Sequence, residues 1–87
     1  MMKIKKYELP CFDGHKSFGG KAKVIEKNNV IELESYSTIV GFIKGDKFHR
    51  TWPEYSATTM RHVNSFCQLF NVEGGGKAWW NALDVEN

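Results

Sequence analysis

The stretch Tyr55-Ser56-Ala57-Thr58-Thr59-Met60-Arg61-His62-Val63-Asn64-Ser65-Phe66-Cys67-Gln68-Leu69-Phe70 decides how the rest of this 87-residue chain is read. Pro53 cannot lie inside a helix, and Ser56 or Thr58 supplies a side-chain oxygen that can cap a free backbone N–H. Met60, Val63, Cys67 and Phe70 then recur at intervals of three, four and three, which puts them on one helical face. Arg61, Asn64, Ser65 and Gln68 fall on the other side. The pattern predicts an amphipathic helix over about 56–70 with one apolar face to bury.

Upstream, the period changes from that of a helix to that of a strand. Ile31 and Leu33 alternate with Glu32 and Glu34, the clearest period-two signal in the chain. Ile39, Val40, Phe42 and Ile43 are apolar on both faces, as a central strand under a helix requires. Ile4, Tyr7 and Leu9 stand among Lys3, Lys5 and Lys6, which suits an edge strand guarded by lysine. Lys21 to Lys27 forms a further strand around Val24 and Ile25. Lys47 to Trp52 forms the last, ended by Pro53. Asn28-Asn29 reads as a tight hairpin turn accepting positive φ, and Gly45-Asp46 as another turn. Ser35-Tyr36-Ser37 reads as a break or bend in the ladder. Pro10 to Gly20 reads as a loop in which Phe12 and Phe18 tuck against the domain. Gly74-Gly75-Gly76 reads as a stop and a hinge before a short helix over about 77–83. The expected fold is α+β, in one domain over residues 1–87. A four- to five-stranded antiparallel meander within 3–52 is covered by one amphipathic helix and followed by a short C-terminal helical turn.

Composition limits the classes of function. A chain 41% hydrophobic and 14% aromatic has enough to bury to leave the disordered class. The net charge is +2 but unevenly placed: residues 1–27 hold seven lysines against three acids, the remainder five basic residues against seven acidic. That basic third can meet phosphates, although lysines there also serve solubility. No apolar run reaches the ~20 residues of a membrane span, and the first residues do not read as a signal peptide. Cys11 and Cys67 are read as two thiols in a reducing cytoplasm, although a long-range disulfide is compatible with their spacing.

Residues that bear chemistry are scattered. His15, His49, His62, Cys11 and Cys67 lack the two-to-five-residue spacings of zinc sites, so neither metal nor cofactor is expected. Cys67 sits on the apolar face of the helix, which makes it a core residue before a nucleophile. The glycine runs lack the ending of a phosphate-binding loop. An enzyme is therefore not expected. A hydrolase or transferase would need folding to gather His62, Cys67 or Asp13.

Binding is better supported. Trp79 and Trp80 cannot both point inward from one short helix, so one is expected at the surface, where tryptophan anchors partners. The contact residues expected for a protein partner are Trp79, Trp80, Arg61, Lys16, Lys21 and Lys23. The alternative is a single-stranded nucleic acid held by Lys16, Ser17, Phe18, Lys21, Arg61 and His62, where cations and aromatic faces mix. A homodimer across an exposed strand edge is also compatible with the pattern.

Four segments carry a family resemblance. Ser17-Phe18-Gly19-Gly20-Lys21-Ala22, Ser35-Tyr36-Ser37-Thr38-Ile39-Val40, Tyr55 to Asn64, and Gly76-Lys77 with Trp80 and Leu83 follow one another in that order. Over Lys16 to Leu83 the chain resembles a family of small proteins without assigned activity. These are encoded by bacteriophages and by low-GC Gram-positive bacteria carrying mobile elements. The most specific piece is Ser56-Ala57-Thr58-Thr59-Met60-Arg61-His62. The chain departs from the expected pattern at Gly19, where a bulky aromatic is expected, and at Trp79, where a polar residue is. The resemblance implies a setting and no catalytic residues. It implies a small cytoplasmic protein that binds a protein or ribonucleoprotein machine of the host cell and blocks it, as anti-CRISPR proteins do.

Overall fold

Five strands and two helices make up the computed structural model, which describes residues 4–12 and 18–86. The strands are β1 (Lys5–Glu8), β2 (Ala22–Glu26), β3 (Ile31–Ser35), β4 (Thr38–Lys44) and β5 (Lys47–Arg50). They lie side by side in chain order, each antiparallel to the next, and α1 (Ala57–Leu69) and α2 (Lys77–Ala82) follow. The fold is α+β, as the change of period requires.

The alternation in β3 sets the register. Leu33 faces inward opposite Val24 of β2, and both are fully buried. Glu32 and Glu34 face outward, where Lys27 and Lys6 reach them at 3.1 and 3.2 Å. Such exposed pairs contribute little to stability, so burial of the inner row fixes the register. A bulge between Leu33 and Glu34 shifts the pairing with β4, and Val40 O then accepts both Thr51 N–H and Trp52 N–H. Gly41 cannot be replaced at this point: a Cβ there would stand 2.2 Å from the ring of Phe48.

Ser56 caps α1, its Oγ accepting from Thr59 N–H at 3.3 Å, which contributes about 1 kcal/mol. The helix lays Met60, Val63, Phe66 and Cys67 on Val24, Leu33, Val40 and Ile43 of the sheet. Its buried face is wider than the spacing of apolar residues predicts, because His62 and Ser65 are buried as well. Ser65 was expected on the solvent side. Instead the chain after β1 crosses that flank, and Ser65 Oγ accepts from Phe12 N–H. In this crossing Phe18 is buried but Phe12 stays 43% exposed, so only one of the two phenylalanines tucks in.

Three turns differ from their reading. Asn28-Asn29 does close a hairpin, with Lys27 N–H donating to Val30 O, but neither asparagine has positive φ. The left-handed pair is Tyr36 (φ 51°) and Ser37 (φ 75°), which make the two-residue turn from β3 to β4 where a break was expected. α1 stops at Phe70 and Asn71 (φ 57°), ahead of the glycine run. That run packs against α1 and is no hinge. Asn64 Nδ2 donates to Gly75 O at 2.8 Å, and a Cβ on Gly75 would lie 2.6 Å from Trp79 Cβ.

Arg50 closes the far end of the domain. It is 6% exposed and points under the sheet, where Nε donates to Trp52 O at 2.8 Å. Nη1 donates to Trp80 O and Leu83 O, and Nη2 to Pro53 O and Glu54 O. The guanidinium also lies 4.7 Å from the Trp80 ring centre, and Trp80 Nε1 donates to Glu54 O. Residues 85–86 continue along β5, with Glu86 N–H donating to Arg50 O. Replacing Arg50 with Met should lower folding stability by about 3 kcal/mol, because the carbonyls it serves lose charged donors. Arg50→Lys should recover only part of this, since an ammonium lacks the planar fork. Urea unfolding of the three proteins reads the difference, and equal midpoints would contradict this role.

Candidate binding face at the β3–β4 turn

β4 runs from the turn at Tyr36 to the turn at Gly45, so the residues expected to bind a partner divide between two ends of the sheet. Trp79 and Trp80 belong to the end near Gly45. Both turn inward around Phe48, at 5.7 and 6.0 Å between ring centres. Trp80 is fully buried and is therefore a core residue, not a contact for a partner. Trp80 fails as a contact because Phe48, Arg50 and the Glu54 carbonyl enclose it; of the one tryptophan expected at the surface, Trp79 supplies a part. Trp79 keeps partial exposure beside Asp46, Lys47 and Glu73.

Lys21, Phe18, Arg61 and His62 come together at the opposite end, as the nucleic-acid reading required. Lys23 does not join them. It pairs with Glu34 in the ladder and stands on the outer face of the sheet, away from α1. Lys16 and Ser17 lie outside the described residues, as do Asp13 and His15.

The centre of this end is Tyr36, which the sequence reading did not single out. Tyr36 is 50% exposed on the left-handed turn, a conformation that costs a bulky residue of order 1–3 kcal/mol. Behind it stands His62, 5.6 Å from the tyrosine ring centre and 4.5 Å from that of Phe18, which meets it edge-on. His62 is fixed in turn by Ser35: Nδ1 and Oγ are 2.8 Å apart, and Thr59 Oγ1 lies 3.2 Å from the same Oγ. Lys21 Nζ stands 5.8 Å from the Tyr36 ring centre, and the Arg61 guanidinium 5.3 Å from that of Phe18. Phe18, Gly19, Lys21, Tyr36, Thr58, Arg61 and His62 line an open cavity of about 300 Å³, and among the described residues no carboxylate belongs to its wall.

The exposed aromatics continue around the start of α1. Tyr55, 41% exposed, lies just ahead of the cap with Lys77 Nζ 5.0 Å from its ring centre. Phe12 borders a second open cavity, with Arg61, Asn64 and Gln68 of α1. Tyr36 and Tyr55 were not named as contacts because an isolated aromatic carries no periodicity, and Phe12 was expected to tuck in. The available signal was Tyr36 between two serines at the only point where β3 can turn into β4.

The groups that resemble catalytic ones are held differently. His62, Ser35 and Thr59 are buried together with their hydrogen bonds satisfied, and Arg61 covers the Phe18 side of the ring. Cys67 faces the core, and burial pushes its thiol up to about 12, far from the thiolate a nucleophile needs. Cys11 and Cys67 are not joined by a disulfide. His49 stacks on Phe42 on the outer face and meets Glu86 at 2.6 Å. Among the described residues no three of His, Cys, Asp and Glu gather closely enough to hold a metal ion. No helix among these residues is long and apolar enough to cross a membrane.

Residues 7–82 match the family of unknown function DUF8033, and the chain belongs to that family. No curated protein and no solved structure gives a match.

Two weak acids, the buried Cys67 thiol and the half-buried Tyr7 hydroxyl, make stability depend on alkaline pH. Burial raises the Cys67 thiol to about 12. Burial, then the hydrogen bond to Glu26 and its charge, raise the Tyr7 hydroxyl to about 12. With both folded values above the unfolded ones, the folded state holds protons that the unfolded state releases. Their contribution is complete below about pH 9 and is lost as pH rises towards 12. Urea midpoints measured from pH 8 to 11 should fall, and should fall less steeply in Cys67→Ala. An identical slope in that variant would remove Cys67 from the account.

Proposed function

We propose that this DUF8033 chain is a small non-catalytic binding protein that captures a macromolecule of a bacterial host and blocks its work. It is of the kind that phages and mobile elements encode against host defence, anti-CRISPR proteins among them. The cytoplasm of the host is the compartment in which such a protein acts. The genomic setting follows from the resemblance of its Ser17–Ala22, Ser35–Val40, Tyr55–Asn64 and Gly76–Leu83 segments.

One observation carries the binding reading: Tyr36, Tyr55 and Phe12 are exposed around the first turns of α1, while the groups fit for nucleophilic chemistry are enclosed. Exposed tyrosine is favoured at partner contacts because it offers a large flat area with few rotors to immobilise. Tyr36 is further held by His62 behind it and by the turn beneath it, so little ordering remains when a partner arrives. Lys21 and Arg61 give this face positive charge that suits an acidic partner surface. The face replaces the tryptophan end as the principal contact, with Trp79 left as a peripheral aromatic.

The test is a pull-down from a low-GC Gram-positive host lysate with the whole chain as bait. Wild type and Trp79→Ala should retain one stoichiometric protein or ribonucleoprotein partner, and Tyr36→Gly combined with Tyr55→Ala should lose it. A partner lost with Trp79→Ala and kept by the double variant would contradict the proposed face.

A further inference from the structure

We propose that the cavity between Tyr36, Lys21 and Arg61 is a site for one nucleotide of a single strand, its base against Tyr36 and its phosphate between the two cations. The inference rests on the reading that this face binds a partner, and it assigns the ligand chemistry of one part of that face.

The walls fit such a group. The Tyr36 ring offers an exposed plate, and His62, locked by Ser35 Oγ and Thr59 Oγ1, stops the plate from folding inward. Base–aromatic stacking tolerates any base, because every base has a flat π-face. Lys21 Nζ stands 5.8 Å from the centre of the same ring, and the Arg61 guanidinium 5.3 Å from that of Phe18. Two cations therefore line the cavity in which the phosphate beside a stacked base would stand. Thr58 adds a hydroxyl, and the first turn of α1 contains no acid to repel the anion. The volume, about 300 Å³, is at the small end of ligand clefts and suits one nucleotide in place of a run of bases. A duplex is excluded by the same geometry, since its bases are stacked inside and present no face to Tyr36.

The backbone supports a role for the ring itself. Tyr36 and Ser37 take left-handed angles with neither glycine nor asparagine at either position, so the turn tolerates strain that a glycine in place of Tyr36 would relieve. Tyr36→Gly is consequently a usable variant: it removes the ring and eases the backbone, so the fold is retained.

Fluorescence anisotropy with fluorescein-labelled ten-nucleotide oligo-thymidylate and oligo-adenylate tests the site, with a labelled duplex and labelled heparin alongside. Both single strands should bind more tightly than the duplex and heparin. Tyr36→Gly should weaken them by about tenfold to a hundredfold, while Tyr36→Phe should stay close to wild type. Lys21→Gln should lower the slope of log affinity against log salt by about 0.7, the share of one phosphate contact on a single strand. Lys44→Gln, at the far end of β4, should change neither affinity nor slope. Heparin or duplex bound as tightly as the single strands, or a Tyr36→Gly protein that binds like wild type, would overturn the site. No oligonucleotide binding at low salt would also overturn it. If Tyr36→Gly with Tyr55→Ala still loses the captured partner in that case, the nucleotide assignment falls and the binding face stands.

Discussion

Arg50 carries a full charge under the sheet and satisfies it with backbone carbonyls. Burying a cation is costly unless every proton finds an acceptor, and here the acceptors come from two separate stretches of chain. Trp52, Pro53 and Glu54 belong to the connection into α1; Trp80 and Leu83 belong to α2 and its end. The last carbonyls of a short helix are also where a positive charge is favoured. One side chain thus fixes how α1 leaves the sheet and where α2 docks. In an 87-residue domain with a limited core, that fastening substitutes for area it does not have.

This arrangement commits one end of the molecule to stability. Trp80, Phe48 and Trp79 close over Arg50, and residues 85–86 pair along β5, which leaves β1 as the uncovered edge among the described residues. The opposite end is built on other terms. There the chain holds a tyrosine on a strained turn, keeps two cations beside aromatic rings and buries a histidine to brace them. Strain of this kind persists only where the surroundings over-determine it, and Ser35, Thr59 and His62 do so. Stability gathers at the Arg50 end, and the recognition proposed above lies at the Tyr36 end.

The sequence made the elements legible because each is long enough to show its period. Met60, Val63 and Cys67 marked the helix, Ile31 and Leu33 the strand opposite, and Ser56 the start of α1. Lys21, Phe18, Arg61 and His62 were also named from the chain as neighbours of one site, and they meet. Features decided by packing at a distance were hidden. Trp80 looked available because two adjacent tryptophans on one helix point apart, and nothing local reveals that Phe48 and Arg50 cover the second direction. Arg50 drew no notice within Lys47 to Trp52, since its acceptors lie up to 33 residues away. The Tyr36 turn was missed for a different reason: it lacks the glycine or asparagine that announces positive φ.

The most direct measurement of this division is chemical-shift mapping of the ¹⁵N-labelled chain with either the captured host partner or the oligonucleotide. The account predicts that perturbed amides cluster at 12, 18–21, 35–38 and 55–61, while those of 46–48 and 79–85 stay in place. Perturbations centred on Trp79 and the Gly45 turn, with Tyr36 and Lys21 unmoved, would contradict it.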